Sequence, residues 1–200
     1  MRLSSFKSLE VQGLLFDQHL GNHGHRRNVV GNLAEQLTTE AVGGRRHKTQ
    51  CTCDYCPDVS RIGDCGATEF FESKAAGLSN QTFIYAGRLA KDQKFVETGR
   101  SLTYVVWHHG AATLEASTVR ELEQLVSLRM LAVYAVPFFE VLAICGSLNE
   151  EPLNSRYGHS RDQYRKTYGS GYRLPMKLLL PWRVRTFLAG VQGRPLEKFL

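Results

Sequence analysis

The sequence lacks any apolar run long enough to cross a bilayer. Its most apolar stretch, Met130 to Cys145, contains Pro137 and Glu140 and is shorter than the ~20 residues a spanning helix needs. It is expected to be core. An apolar leader is missing as well, because Met1-Arg2-Leu3-Ser4-Ser5-Phe6-Lys7 runs straight into mixed polar sequence. A cytoplasmic protein with no membrane partner is the expectation. The chain has no G-x-S-x-G and no G-x-x-x-x-G-K-[ST], which removes the usual signatures of a serine hydrolase and of a phosphate-binding loop. It also has no internal repeat and no low-complexity segment.

What is present fits one domain of 200 residues, 42% hydrophobic, with a net charge of +6. That composition supports a core, and the charge points to an anionic partner, nucleic acid first. The excess is concentrated. Between residues 156 and 185, Arg156, Arg161, Arg165, Lys166, Arg173, Lys177, Arg183 and Arg185 face Asp162 alone, so this stretch carries +7 against +6 for the whole chain. Tyr157, Tyr164, Tyr168 and Tyr172 are interleaved with them, and Gly158, Gly169 and Gly171 suggest a loop. Arginines clamp phosphates and tyrosines stack on unpaired bases, so Arg156, Arg161, Arg165, Lys166, Arg173, Tyr164 and Tyr168 are candidate nucleic-acid contacts. Binding there should weaken steeply with salt.

Three parts are expected: a basic, polar arm over 1–27, a core over 28–150, and the basic Tyr/Arg-rich region over 151–200, packed on the core. Val30, Leu33, Leu37 and Ala41 recur at helical spacing over 28–42, stopped by Gly43-Gly44. A strand over 46–57 should end at Pro57, and Gly63 to Gly66 should turn the chain into a strand over 67–75. Ile84 to Glu97 reads as a helix, Ser101 to Trp107 as a buried strand, and Thr118 to Met130 as a helix opened by a Thr118/Glu121 capping box. Leu131 to Val136 reads as a strand, followed by a short helix from Pro137. The order predicts an α/β fold, a mixed central sheet flanked by helices.

Glu72-Ser73-Lys74 is the chemical signal, with Pro57-Asp58 fourteen residues upstream. An acid-x-Lys triplet is weak by itself: nineteen acids and eight lysines in 200 positions give roughly one by chance. A second, Asp92-Gln93-Lys94, sits in a helical pattern and reads as a solvated face. The alternation of a strand, however, puts Glu72 and Lys74 on one side. With Glu35 on the first helix, Asp58 after Pro57, and Glu72 and Lys74 on the next strand, residues 28–136 resemble the PD-(D/E)xK nuclease superfamily, the restriction endonuclease-like and Holliday junction resolvase-like fold. The gaps, 23 from Glu35 to Asp58 and 14 from Asp58 to Glu72, are similar to those of resolvase-like members.

The resemblance implies a metal-dependent endonuclease that hydrolyses DNA and leaves 5′-phosphate and 3′-hydroxyl ends. Asp58 and Glu72 would bind Mg²⁺ or Mn²⁺, Lys74 would position water or phosphate, and Glu35 would complete the shell. Hard oxygen ligands suit those ions. Asp64, eight residues before Glu72, competes for the role of Asp58.

Cys51, Cys53, Cys56 and Cys65 form a rival signal, a structural zinc site in which His47 could replace one thiolate. Zinc or plain thiols are expected there rather than disulfides. His108-His109 reads as a polar strand end, with a catalytic role as the alternative. A zinc-braced, non-catalytic nucleic-acid-binding protein is the second functional reading. A nuclease toxin or effector with an immunity protein as partner is the third, and a homodimer is left open.

Overall fold

The computed structural model describes residues 19–21, 23–47, 55–152 and 169–186. Helix α1 (His23–Val42) begins earlier than its apolar stripe, so the expected boundary at residue 27 falls inside the helix. It stops at Gly43, whose φ of +65° suits a residue without a Cβ. Strands β1 (Arg45–Arg46), β2 (Val59–Ile62) and β3 (Thr68–Ala76) follow. Of the strand expected over 46–57, residues 48–54 lie outside the described residues, and residues 55–58 are not in a strand. Pairing resumes with β2 after Asp58, because proline has no N–H to give a ladder.

Strand β4 (Gln81–Tyr85) leads directly into α2 (Ala86–Glu97). The helix expected from Ile84 therefore starts two residues later. Alternating burial over 81–85 reveals a strand that the helical reading absorbed. Strand β5 (Ser101–His109), α3 (Val119–Leu128), β6 (Met130–Pro137) and α4 (Phe138–Gly146) fall close to their expected places. Both halves of the Thr118/Glu121 capping box are formed, and Met130 opens the strand rather than closing the helix. Strands β7 (Glu151–Pro152), β8 (Ser170–Pro175) and β9 (Arg183–Thr186) complete the described chain.

The main sheet runs β1-β2-β3-β5-β6-β9, and β4-β8-β7 form a smaller one. Among the described strands only β3 and β5 pair in parallel; the other pairs are antiparallel. The fold is mixed α/β, with a mainly antiparallel sheet flanked by helices. Val105, Trp107 and Val133 pack with α1 and α3 on one face, while Tyr104, Val106 and Val136 pack with α2 and α4 on the other. This explains the continuous apolar run of β5, which is covered on both sides. Among the described residues no helix is long and apolar enough to cross a membrane.

The C-terminal region contributes to the sheets themselves: β9 pairs with β6 and β8 with β4. Gly171, expected in a loop, lies in β8, where a Cβ would come within 2.4 Å of the Ile84 carbonyl oxygen and 2.6 Å of the Phe83 ring. Glycine is needed there for close approach, not for a flexible loop.

Candidate active site

The pleat of β3 does what the spacing predicts. Glu72 and Lys74 lie on the same face, and Lys74 Nζ donates to Glu72 Oε1 at 2.5 Å. That face looks toward α2. From the first turn of α2, Arg88 Nη2 donates to Glu72 Oε2, the other carboxylate oxygen, and to the Cys56 carbonyl at 3.1 Å. Glu72 is 3% exposed. Burial works against its charge, but Lys74 and then Arg88 outweigh it and hold the carboxyl below its usual range. Burial likewise pulls the Lys74 ammonium down, while Glu72 and then Asp58 outweigh that effect and keep it above the usual lysine range. Lys74 is therefore a cation and donor at neutral pH. An ammonium has three donors. One goes to Glu72 and a second lies 3.3 Å from the Ser73 carbonyl, which leaves a third for a ligand.

Asp58 precedes β2. The β2–β3 register pairs Val59 with Phe71, so one step further Asp58 stands opposite Glu72. Its Oδ2 accepts the Ser73 backbone N–H at 2.7 Å, and its own carbonyl accepts from the His47 backbone at 2.8 Å. Burial, then the charge of Glu72, pushes the Asp58 carboxyl up to about 7, with Lys74 opposing and Glu35 adding to the rise. Glu35 thus lies within electrostatic reach from α1. It also accepts from Arg46 Nε at 2.6 Å, while Arg46 Nη2 holds Asn32 Oδ1 at 2.8 Å.

The structure therefore brings Asp58, Glu72 and Lys74 together and puts Glu35 at their margin. Asp64 is elsewhere, exposed in the turn at the opposite end of the β2–β3 hairpin. Cys56 is disulfide-bonded, contrary to the expectation of zinc or plain thiols, and a bonded sulfur is not a thiolate ligand. Cys65 is a free, exposed thiol, while Cys51 and Cys53 lie outside the described residues. His47, the alternative zinc ligand, pairs through Nε2 with Ser60 Oγ at 2.9 Å.

His108 and His109 are not a polar edge. They are 8% and 3% exposed; His108 Nε2 pairs with Asn80 Oδ1 at 2.8 Å and His109 Nδ1 accepts from the Ala111 N–H at 3.3 Å. Burial lowers both, His109 to about 4, so these rings are neutral core groups. In the basic region, Arg173 Nε is paired with Glu151 Oε2 at 2.6 Å, and Tyr172 donates to Glu150 Oε2 at 3.3 Å. Arg173 is therefore charge-compensated. Arg156, Arg161, Arg165, Lys166, Tyr164 and Tyr168 lie outside the described residues.

The largest correction concerns Asp92. Expected on a solvated face, it is 0% exposed. It accepts the hydroxyls of Tyr55 and Tyr104, and Arg88 Nε lies 3.2 Å from its Oδ1. Burial first, then the charge of Glu72, raises its carboxyl. The guanidinium of Arg88 also stacks 4.5 Å above the Tyr55 ring. Arg88, Asp92, Tyr55 and Tyr104 thus form a layer behind Glu72 that sequence reasoning missed. A signal existed: Arg88 and Asp92 are four residues apart on one helix, and Asp92 falls three after Leu89 and four before Val96 on the buried stripe.

Among the described residues no group of three or more His, Cys, Asp and Glu side chains is placed to hold a metal ion. The pair Asp58 and Glu72 nevertheless suits a hard divalent cation that keeps several waters. Both carboxylates are withdrawn from water, and burial, then the charge of Glu72, raises the Asp58 carboxyl, so a cation at this pair would favour its ionised form. No family model, curated protein or solved structure matches the chain.

Proposed function

We propose that the protein is a metal-dependent endonuclease that hydrolyses DNA phosphodiester bonds, with its site at Asp58, Glu72 and Lys74 on a restriction endonuclease-like core. The observation that carries this reading is the convergence of the residues the sequence singled out. Lys74 is bonded to Glu72 at 2.5 Å, and Asp58 is tied to the β3 backbone between them. The connection of β3 through α2 to a parallel β5 supports it too.

Asp58 and Glu72 would hold Mg²⁺ or Mn²⁺. When bound, the ion supplies Lewis-acid polarisation and neutralises charge on the phosphate. Lys74, held protonated by Glu72, gives its remaining donor to the attacking water or a non-bridging phosphate oxygen. Glu35, which pairs with Arg46 and acts electrostatically on Asp58, would add negative charge at the margin of the ion's site. Water adds to phosphorus, the bond to the 3′ oxygen breaks, and the products carry a 5′-phosphate and a 3′-hydroxyl. The disulfide at Cys56 favours this reading over the zinc-braced alternative, because a bonded sulfur is not a thiolate ligand.

The test is nicking of supercoiled plasmid in Mg²⁺ or Mn²⁺ by wild-type protein and by Glu72→Gln. Cleavage by the wild type and its loss in the variant support the reading. A wild-type protein that binds DNA and never nicks it with either ion overturns it.

A further inference from the structure

Glu72 carries two cations on one carboxylate. Lys74 holds Oε1 and Arg88 holds Oε2, so both oxygens that an incoming metal needs are already bonded. Arg88 also has a second acceptor beside it. Its Nε lies 3.2 Å from Asp92 Oδ1 and yet makes no hydrogen bond, although it is buried. The contact is close in charge and poor in angle, which leaves an unspent donor.

The two partners differ in freedom. Asp92 is fully buried and held by the hydroxyls of Tyr55 and Tyr104. The Arg88 side chain is 22% exposed and reaches the site on a long, jointed stem. A turn of the guanidinium toward Asp92 would aim Nε at Oδ1, 3.2 Å away, and would take Nη2 from Glu72 and from the Cys56 carbonyl. The planar fork of arginine favours such a two-bond pairing with one carboxylate.

We propose that Arg88 is the resident counter-cation of Glu72, and that a divalent ion enters at Asp58 and Glu72 only as the guanidinium moves from Glu72 to Asp92. The proposal rests on the metal-dependent reading above. Glu72 exchanges a guanidinium for the ion, Arg88 keeps a carboxylate partner, and the two charges the ion brings are met by Asp58 and Glu72. Arg88 is a positioning residue here, acting on metal entry through Glu72.

The experiment measures binding of Mn²⁺ alone, by loss of the free-ion electron paramagnetic resonance signal, with no DNA present. Wild type, Arg88→Gln and Asp92→Asn are compared as full chains. Arg88→Gln should bind Mn²⁺ about tenfold more tightly, the value of one charged hydrogen bond released from competition. Asp92→Asn should bind it more weakly, because Arg88 loses its alternative acceptor. A wild-type readout guards against a misfolded variant. The side-chain Nε–H resonance of Arg88, assigned by its absence from Arg88→Lys, should shift on titration with Mg²⁺. Equal Mn²⁺ affinity in wild type and Arg88→Gln, with an unmoved Arg88 resonance, overturns the exchange and leaves the metal-dependent reading standing. Failure of Mn²⁺ to bind any of the proteins overturns both.

Discussion

Two acid-x-lysine triplets, one on β3 and one on α2, meet in the same region and are built in opposite ways. In Glu72-Ser73-Lys74 the strand period of two residues puts acid and lysine on one face, and the two are bonded at 2.5 Å. In Asp92-Gln93-Lys94 the helix turns about 200° between the same two positions. Asp92 goes inward to 0% exposure, and Lys94 stays in solvent. The same three-letter pattern therefore yields a bonded pair on the strand and a split pair on the helix. Each acid then takes a different partner. Glu72 gathers Lys74 and Arg88, whereas Asp92 takes two tyrosine hydroxyls and stands beside Arg88.

The sharpest way to break this contrast is to remove the lysine from the strand triplet. Lys74→Met retains most of the stem and deletes the ammonium. Plasmid nicking should fall about a thousandfold, as when one positioned donor is taken from a developing anion. A variant that nicks at the wild-type rate would remove Lys74 from the chemistry.

Removing the acid from the helix triplet should act on stability instead. Asp92→Ala leaves two buried hydroxyls without an acceptor and Arg88 without its nearby second carboxylate. Urea unfolding should show a loss of about 3 kcal/mol. A loss under about 0.5 kcal/mol would mean that the layer behind Glu72 contributes little to the fold.

Asp58 tests the strand side by pH. Burial and the charge of Glu72 hold its carboxyl at about 7 in the folded protein, against 3.8 for an ordinary aspartate. The folded state therefore binds this proton more tightly than the unfolded chain does. The stability it contributes is fully present below about pH 4 and is lost as pH rises through about 7. Allowing for the partial exposure of Asp58, the loss is about 2 kcal/mol. Urea midpoints in metal-free buffer at pH 5 and pH 8 should show a little over half of it, about 1 kcal/mol, in wild type and not in Asp58→Asn. Parallel pH dependence in the two proteins would remove Asp58 as the source.

The strand side of the site was legible because its determinants are local. Alternation fixed the shared face of Glu72 and Lys74, the apolar run fixed β5 as doubly covered, and the capping box fixed the start of α3. The helix side was hidden by composition. A charged residue on an apolar stripe reads as polar surface, yet Asp92 shares the stripe of Leu89 and Val96. Tyr55 and Tyr104, 37 and 12 residues away in sequence, join Arg88 in making its burial tolerable. No local pattern carries such distant partners. The placing of Asp58 over Asp64 was equally non-local, since it depends on which end of the hairpin faces Glu72.

The smallest effect is also the cleanest control on the comparison. Lys94 has the same neighbour spacing as Lys74 but stands exposed in the last turn of α2. Its charge can favour the negative end of the helix dipole by about 0.3–1 kcal/mol at most, and salt screens that term. Lys94→Ala should therefore change the urea midpoint by no more than about 0.5 kcal/mol at moderate salt and leave nicking unaltered. If it instead depressed nicking as Lys74→Met does, the distinction between strand and helix triplets would fail. The charge around the site, rather than the pleat that aims one lysine at one carboxylate, would then govern the chemistry.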